Sequence, residues 1–300
     1  MPSSTRALVQ IHVCVVLWGF TAILGKAITL RALPLVWWRM TLVAAALLLF
    51  PGFWKGLAGL SARLIATYLG IGVIVAVHWI AFYESIKLSN ASVAATCMAL
   101  APLFVAFIEP QFVGRRFEFR ELFFGVVVIP GVALVVGGIP AQMRAGLALG
   151  IFSALLAAIF GTLNKRYIEH VGALTVTGLE MLAGVVCLTL MASLVPPSDP
   201  IIVKPNAHDT VLLLILALGC TLLPFALSLV ALRQLSAFTT ALAINMEPVY
   251  AIFLAIVLFH EQRELNSGFY SGVAIVFIVV FSHTQRARVW QNFLSTWKLN

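Results

Sequence analysis

The sequence predicts an all-α polytopic membrane protein, with ten transmembrane helices in two inverted-topology five-helix repeats. Three observations predict it. First, 62% of the 300 residues are hydrophobic and 10% are charged, and the mean hydropathy is +1.05; a soluble domain carries about 25% charged residues. Second, the apolar residues fall into ten continuous stretches, each about twenty residues long, as a helix needs to cross a bilayer. A membrane β-barrel would show alternating segments of about ten residues. Third, the second half repeats the first. At a shift of 146 residues Lys87 meets Arg233, Ala91 meets Ala237, Ala95 meets Ala241 and Pro102 meets Pro248. Five spans per copy is an odd number, so the copies face opposite ways across the bilayer. That symmetry builds sites at the membrane midplane.

The spans are expected at 9–27, 34–53, 64–86, 91–113, 119–138, 146–163, 173–195, 209–232, 236–259 and 266–284. The first is longer than a signal-peptide core, and no small-residue cleavage site precedes Lys26, so it reads as a helix. Pro102 and Pro248 fall within the equivalent fourth and ninth spans. Each removes a backbone hydrogen bond that lipid cannot replace, which points to flexed helices beside a central cavity. Gly146 with Gly150, and Gly268 with Gly272, put small residues on one helix face for close internal packing. Pro196 to His208, rich in proline and polar residues, is a linker between hairpins. The chain is therefore one transmembrane domain over 1–300, with repeats at 9–138 and 146–284. Its 285–300 tail places Val289, Trp290, Phe293, Leu294 and Trp297 at helical spacing, as an amphipathic helix in the inner membrane interface.

The net charge of +8 is a topology signal. With the N-terminus in the cytoplasm, twelve Lys and Arg residues fall inside and six outside, and Arg39 lies within a span. The positive-inside rule then puts both termini in the cytoplasm of a cell (inner or plasma) membrane. Basic residues spread over loops in this way do not suit nucleic acid. Cys14, Cys97, Cys187 and Cys220 all fall in spans without a pairing motif, so neither a disulfide framework nor a zinc site is expected.

Ionisable and aromatic residues within spans mark candidate sites. Span three carries His78 and Phe82 on one helix face and Trp79 and Tyr83 on its neighbour. These four, with Met98, Pro102, Asn245 and Pro248 on the flexed helices, are the candidate substrate-binding residues. Arg39 is expected in the outer third of span two and Glu180 in the inner third of span seven, aligned by a shift of 141. Lys26 and Lys165 end spans one and six at a shift of 139. With Glu84, which would pair with Lys26 or Arg39, these charges are candidate gate or ion-pair residues. Glu247, just before Pro248, is the acid nearest midplane and the candidate coupling residue. A desolvated carboxylate there could carry a proton, bind a substrate amine, or pin the kinked helix. His260 and Glu261 open like a zincin helix, but Glu264 stands where the second histidine must be. No Walker loop, nucleophile elbow or dinucleotide fingerprint is present, so neither an enzyme nor a cofactor is expected.

The order of these features resembles an EamA-type permease of the drug/metabolite transporter superfamily. The resemblance rests on Leu17, Trp18, Gly19 and Phe20, then Lys26, Pro34 and Arg39. It continues through Ala91 to Pro102 with a glycine-bearing fifth span (Gly125, Gly131), and again through Ala237 to Pro248, Glu261, Gly268 and Gly272. One departure is that an acid follows the ninth helix (Glu261), whereas Arg115 follows the fourth. The resemblance implies alternating access around spans three, four, eight and nine. It implies a secondary transporter of a small metabolite, an exporter of amino acids or related compounds. The competing readings are import or exchange of a sugar, phosphorylated sugar or nucleotide-linked substrate, and, in another class, an intramembrane enzyme or cargo receptor. The expected partners are a small-molecule substrate, membrane lipid and a coupling proton, in a monomer or weak homodimer.

Overall fold

The computed structural model describes residues 3–114, 130–192, 194, 200–235, 240, 243–244 and 246–279. Among them all regular structure is helical. The helices are α1 (Ser3–Ala27), α2 (Ala32–Leu48), α3 (Pro51–Ala58), α4 (Ala62–Leu88), α5 (Ala91–Met98) and α6 (Ala101–Val113). Then come α7 (130–137), α8 (Arg144–Tyr167), α9 (Ala173–Met191) and α10 (Ala207–Leu214). A π-helical segment, Ile215–Leu222, joins α10 to α11 (Leu223–Leu232). The last two are α12 (Glu247–Phe259) and α13 (Ser267–Val279). The expected 285–300 tail and Gly125 lie outside the described residues.

Among the described residues, six helices are long and apolar enough to cross a membrane, and the α2–α3 pair is a seventh if its two bent parts are one span. The expected second span, 34–53, is corrected at this bend. The helix ends at Leu48 and turns by 83° into α3. Pro51 is the cause: it opens α3 and holds Phe50 in an extended conformation, ψ 116°. Trp54 Nε1 covers the freed Leu48 carbonyl at 2.8 Å.

The fourth span is likewise two helices, broken at Ala99–Leu100. Pro102 sits in the first turn of α6 and Pro248 in the first turn of α12. In that turn a missing N–H costs no intrahelical bond. The prolines therefore restart helices rather than kink intact ones. Both restarted helices also end alike. Gly114 caps α6 in the left-handed region at φ 73°, and His260 caps α12 there at φ 55°. These are equivalent positions at the shift of 146. Glycine takes this conformation without strain, whereas histidine must be held in it.

The most extensive helix contacts all join the two repeats. α4 packs on α8 and α9, α2 on α9, α1 on α11 and α12, and α8 on α5 and α6. Glycine makes the closest of these possible. A Cβ at Gly72 of α4 would overlap the backbone of Glu180 on α9, and one at Gly150 of α8 would crowd Cys97 and Ser85. Gly272 of α13 faces Gly131 of α7 in the same way. Between apolar helices in lipid, such backbone approach is what dispersion and weak polar contacts need. Outside, Leu49, Val186, Leu190, Phe253, Leu258 and Ile278 are exposed, a surface suited to hydrocarbon rather than water.

Candidate functional site

Between the repeats lies a cavity of about 140 Å³. Its lining follows the internal repeat. At the shift of 146, Trp79 pairs with Phe225, Phe82 with Ser228, Met98 with Ile244, and Ala101 with Glu247, and all eight face the cavity. At the shift of 139, Trp18 pairs with Ala157 and Thr21 with Phe160, and these four face it too. The cavity thus stands where equivalent surfaces of the two repeats meet. Its aromatic walls are in mutual contact: Trp79 meets Phe225 edge-on at 6.2 Å, and His78 lies 5.2 Å from Phe160.

Arg39 supplies a cation. It is the eighth of the seventeen residues of α2 and lines the cavity, which corrects the expected placement in the outer third of the span. The reason is the early end of α2, which moves the centre of the helix onto Arg39. The residue is 1% exposed. Its guanidinium carbon stacks 3.8 Å from the Trp79 ring centroid. Nε donates to Thr221 Oγ1 and a terminal nitrogen donates to the Tyr83 hydroxyl, each at 2.7 Å. Thr221 in turn donates to the carbonyl of Leu216, five residues back, at 2.6 Å. That bond follows the π-helical spacing, so the irregular segment aims the hydroxyl that holds Arg39. Such π-segments are frequent at functional sites.

Glu247 faces the same space. It is the first residue of α12, within electrostatic range of Arg39. A carboxylate is favoured at a helix N-terminus by the unpaired backbone N–H groups there. His78 also lines the space and is fixed there by Ser153, whose Oγ lies 2.9 Å from Nδ1. The same Nδ1 lies 2.8 Å from the Ser153 carbonyl oxygen, to which it can only donate. Buried oxygens without partners complete the lining: Thr21 Oγ1, Asn164 Oδ1 and Thr240 Oγ1. An apolar pocket with a few convergent polar groups is the usual form of a small-molecule site.

The remaining expected residues are placed as follows. Tyr83 stands behind the cavity wall as the partner of Arg39. Pro102 and Pro248 are buried, but Ala101 and Glu247 beside them do the lining. Asn245 lies outside the described residues. The expected pairing of Glu84 with Lys26 or Arg39 is not what those two cations do. Lys26 Nζ is 2.7 Å from Glu261 Oε1, and Arg39 is taken up by Trp79, Tyr83 and Thr221. Glu84 lies instead within electrostatic range of Lys87. Glu180, expected as a gate or ion-pair residue, is 0% exposed, and neither of its oxygens has a hydrogen-bond partner. It is shut into the α4–α9 contact, away from the charged ends of the bundle.

The two ends differ chemically. At the Lys26 end, carboxylates join the repeats. Buried Glu261 accepts from Lys26 and from the first backbone N–H groups of α5, Ala91 and Ser92, at 3.1 and 2.9 Å. Glu264 accepts from Asn90 at 2.9 Å, and Asp209 from Thr29 at 2.6 Å. At the Lys165 end, cations cap helix termini. Lys165 donates to the Leu232 carbonyl at 2.6 Å, and Arg233 donates to the Val171 carbonyl at 2.6 Å. Lys87, the equivalent of Arg233, caps α1 through the Ile28 carbonyl.

Sequence reasoning missed Thr21, Asn164, Phe225, Ser228 and Thr221. For Phe225 and Ser228 the signal was present: they are Trp79 and Phe82 moved by 146.

Comparison with known proteins now adds the kinship. The EamA-like transporter family matches the chain twice, over residues 5–137 and 144–283. An uncharacterized transporter of Clostridium kluyveri is 26% identical over 159 residues, 53% of this chain and 49% of that protein. The match thus spans about half the length of the curated relative. A protein of known crystal structure superposes with a TM-score of 0.67 at 17% identity, over 95% of this chain and 99% of that one, a likeness of fold alone.

Proposed function

We propose that this chain, which belongs to the EamA-like transporter family, is a secondary transporter that exports a small amino acid or a related zwitterion by alternating access. One observation carries the reading. A cavity on the seam between two repeats presents a cation, Arg39, and a carboxylate, Glu247, to one space between aromatic walls. Arg39 suits the substrate carboxylate, because its planar fork matches a carboxylate bidentately. Glu247 suits the ammonium. Trp79, Phe82 and Phe225 suit an apolar side chain.

Within this proposal the architecture is ten helices in two inverted repeats, in a cell membrane with both termini cytoplasmic. Lys26 and Glu261 form the outer gate, and the helix-terminal cations around Lys165 form the inner one. Glu247 couples transport to protons by taking either a proton or the substrate ammonium, never both. A proton entering along the field gains roughly 2.3 kcal/mol per 100 mV, which would drive the substrate out.

Arg39 in the cavity also favours a second reading, import or exchange of a phosphorylated sugar. Glu247 opposes it by repelling a dianion. Counterflow separates the two. Purified protein in liposomes loaded with one amino acid should accelerate entry of the labelled amino acid, and acceleration by sugar phosphates alone would select the second reading. A single cysteine at position 288, in a cysteine-free background, should be labelled only from the cytoplasmic side.

A further inference from the structure

Glu180 is the group the transport site leaves unused. It is fully buried on α9, and both carboxyl oxygens lack a hydrogen-bond partner. The Asn164 side chain approaches it from α8 without reaching hydrogen-bond geometry. Asn164 is itself 1% exposed, and its Oδ1 is also without a partner. The Glu180 oxygens and Asn164 Oδ1 are thus unpartnered acceptors on neighbouring side chains, and the Asn164 amide nitrogen, a donor close to Glu180, can serve the carboxyl but not its own Oδ1. A single proton resolves both.

We infer that Glu180 and Asn164 form a proton-binding site in the wall of the bundle, separate from Glu247, in which the Glu180 carboxyl holds a proton and donates it to Asn164 Oδ1. The neighbours favour this over an ionised acid. From α4, Gly72 meets the Glu180 backbone, and the titratable group facing it is the Tyr68 phenol, whose O–H is committed to the Tyr167 carbonyl at 2.7 Å. The charged group beyond Tyr68 is Arg233, which caps the Ile168 and Val171 carbonyls. From α2 and α3, Met40 lies against Gly184, Phe53 against Gly178, and Trp37 donates its indole N–H to Thr189 Oγ1. An ionised carboxylate among them would have no counter-charge. A metal cation fits worse, since hard cations take about six oxygens and the close α4–α9 approach leaves no room for its waters.

Asn164 also lines the cavity, so it stands between Glu180 and cavity water. Release is then a simple transfer. The Glu180 O–H bond breaks, a water takes the proton as hydronium, and the carboxylate remains; binding is the reverse. Glu180 is moreover the repeat equivalent of Arg39. One repeat holds a fixed charge at this position and the other a removable one.

The test reads the proton itself and needs no substrate. Infrared spectra of the purified full chain should contain a carbonyl band of a protonated carboxylic acid that shifts in heavy water. Glu180→Gln should remove that band and leave thermal stability at neutral pH unchanged, because glutamine mimics the neutral acid. Asn164→Leu should keep the band and move it to higher frequency, as a donor that has lost its acceptor. Glu247→Gln should leave it in place. All acid bands surviving in folded Glu180→Gln would overturn the assignment. So would a strong loss of stability in that variant, which would mean an ionised carboxylate accepting from the Asn164 amide. If counterflow fails while the Glu180 band is found, the transport reading falls and the proton site stands.

Discussion

The guanidinium carbon of Arg39 lies 3.8 Å from the centroid of the Trp79 ring, with its Nε committed to Thr221 Oγ1 at 2.7 Å. The cation is therefore held by the aromatic wall on one side and the π-helical segment on the other. The same residue lines the cavity. Arg39→Lys keeps the charge but loses the fork and most of the stacking. Substrate affinity should fall about tenfold or more, while the folded protein survives. Titration calorimetry with a substrate found by counterflow checks this, and unchanged affinity would remove Arg39 from the site.

Thr221→Val tests the support of that cation. It removes the acceptor for Nε and leaves a buried donor unpaired, at a cost of roughly 1–3 kcal/mol. The expected outcome is lower thermal stability with weakened binding, and Thr221→Ser should restore both. Serine rescuing stability without affinity would show that the hydroxyl is structural only.

Glu261 ties α1, α5 and the loop after α12 together. Glu261→Gln leaves one oxygen acceptor and loses the ion pair with Lys26. Charge-assisted bonds of this kind contribute about 1.5–3 kcal/mol each. The variant should melt earlier, and a cysteine placed in the cavity should become more accessible from the Lys26 end. No change in accessibility would mean that this ion pair is not a gate.

Close helix approach gives a paired control. Gly72→Ala drives a methyl into the Glu180 backbone, whereas a Cβ at Gly70 meets nothing within 4 Å. Gly72→Ala should destabilise by about 1–3 kcal/mol. Gly70→Ala should stay within about 0.5 kcal/mol. Thermal unfolding in detergent checks both, and equal effects would contradict the packing of α4 on α9.

Much of the fold was legible because lipid leaves so few choices. The helices that open at 32, 62, 91, 144, 173, 207 and 267 start within two residues of the expected spans, since apolar length and flanking charge fix them, whereas α1 starts at Ser3, six residues before the expected 9. Broken helices were legible only in part. Pro102 and Pro248 announced the breaks, but whether a proline bends a helix or restarts one depends on the turn before it. The α2–α3 bend was missed because Leu48, Leu49 and Phe50 remain apolar through it. The π-segment has no sequence signal of its own, so the aim of Thr221 at Arg39 could not be foreseen. Glu261 was legible as an oddity after the ninth helix, but its capping of α5 joins residues 170 apart. Among site residues, the aromatic face of α4 was readable from spacing alone. The depth of Arg39 was not, because it followed from where α2 stops.

Coupling at Glu247 makes a separate demand. Glu247→Gln cannot titrate, so proton-driven transport should disappear and its pH dependence with it. Counterflow, which needs no proton gradient, should persist at reduced affinity. Measurement of both in the same liposomes checks this, and proton-driven transport at the wild-type level would clear Glu247 of the role.

The claim that the cavity holds a zwitterion between Arg39 and Glu247 meets its most direct test in substrate trimming. Thermal stability of the purified full chain would be measured with each amino acid, with the amine lacking its carboxylate, and with the acid lacking its amine. Ligands that bind the folded state raise apparent stability by mass action. The account predicts that at least one amino acid stabilises the protein and that both of its trimmed analogues lose that effect. Equal stabilisation by the amine or the acid, or stabilisation by sugar phosphates alone, would contradict it.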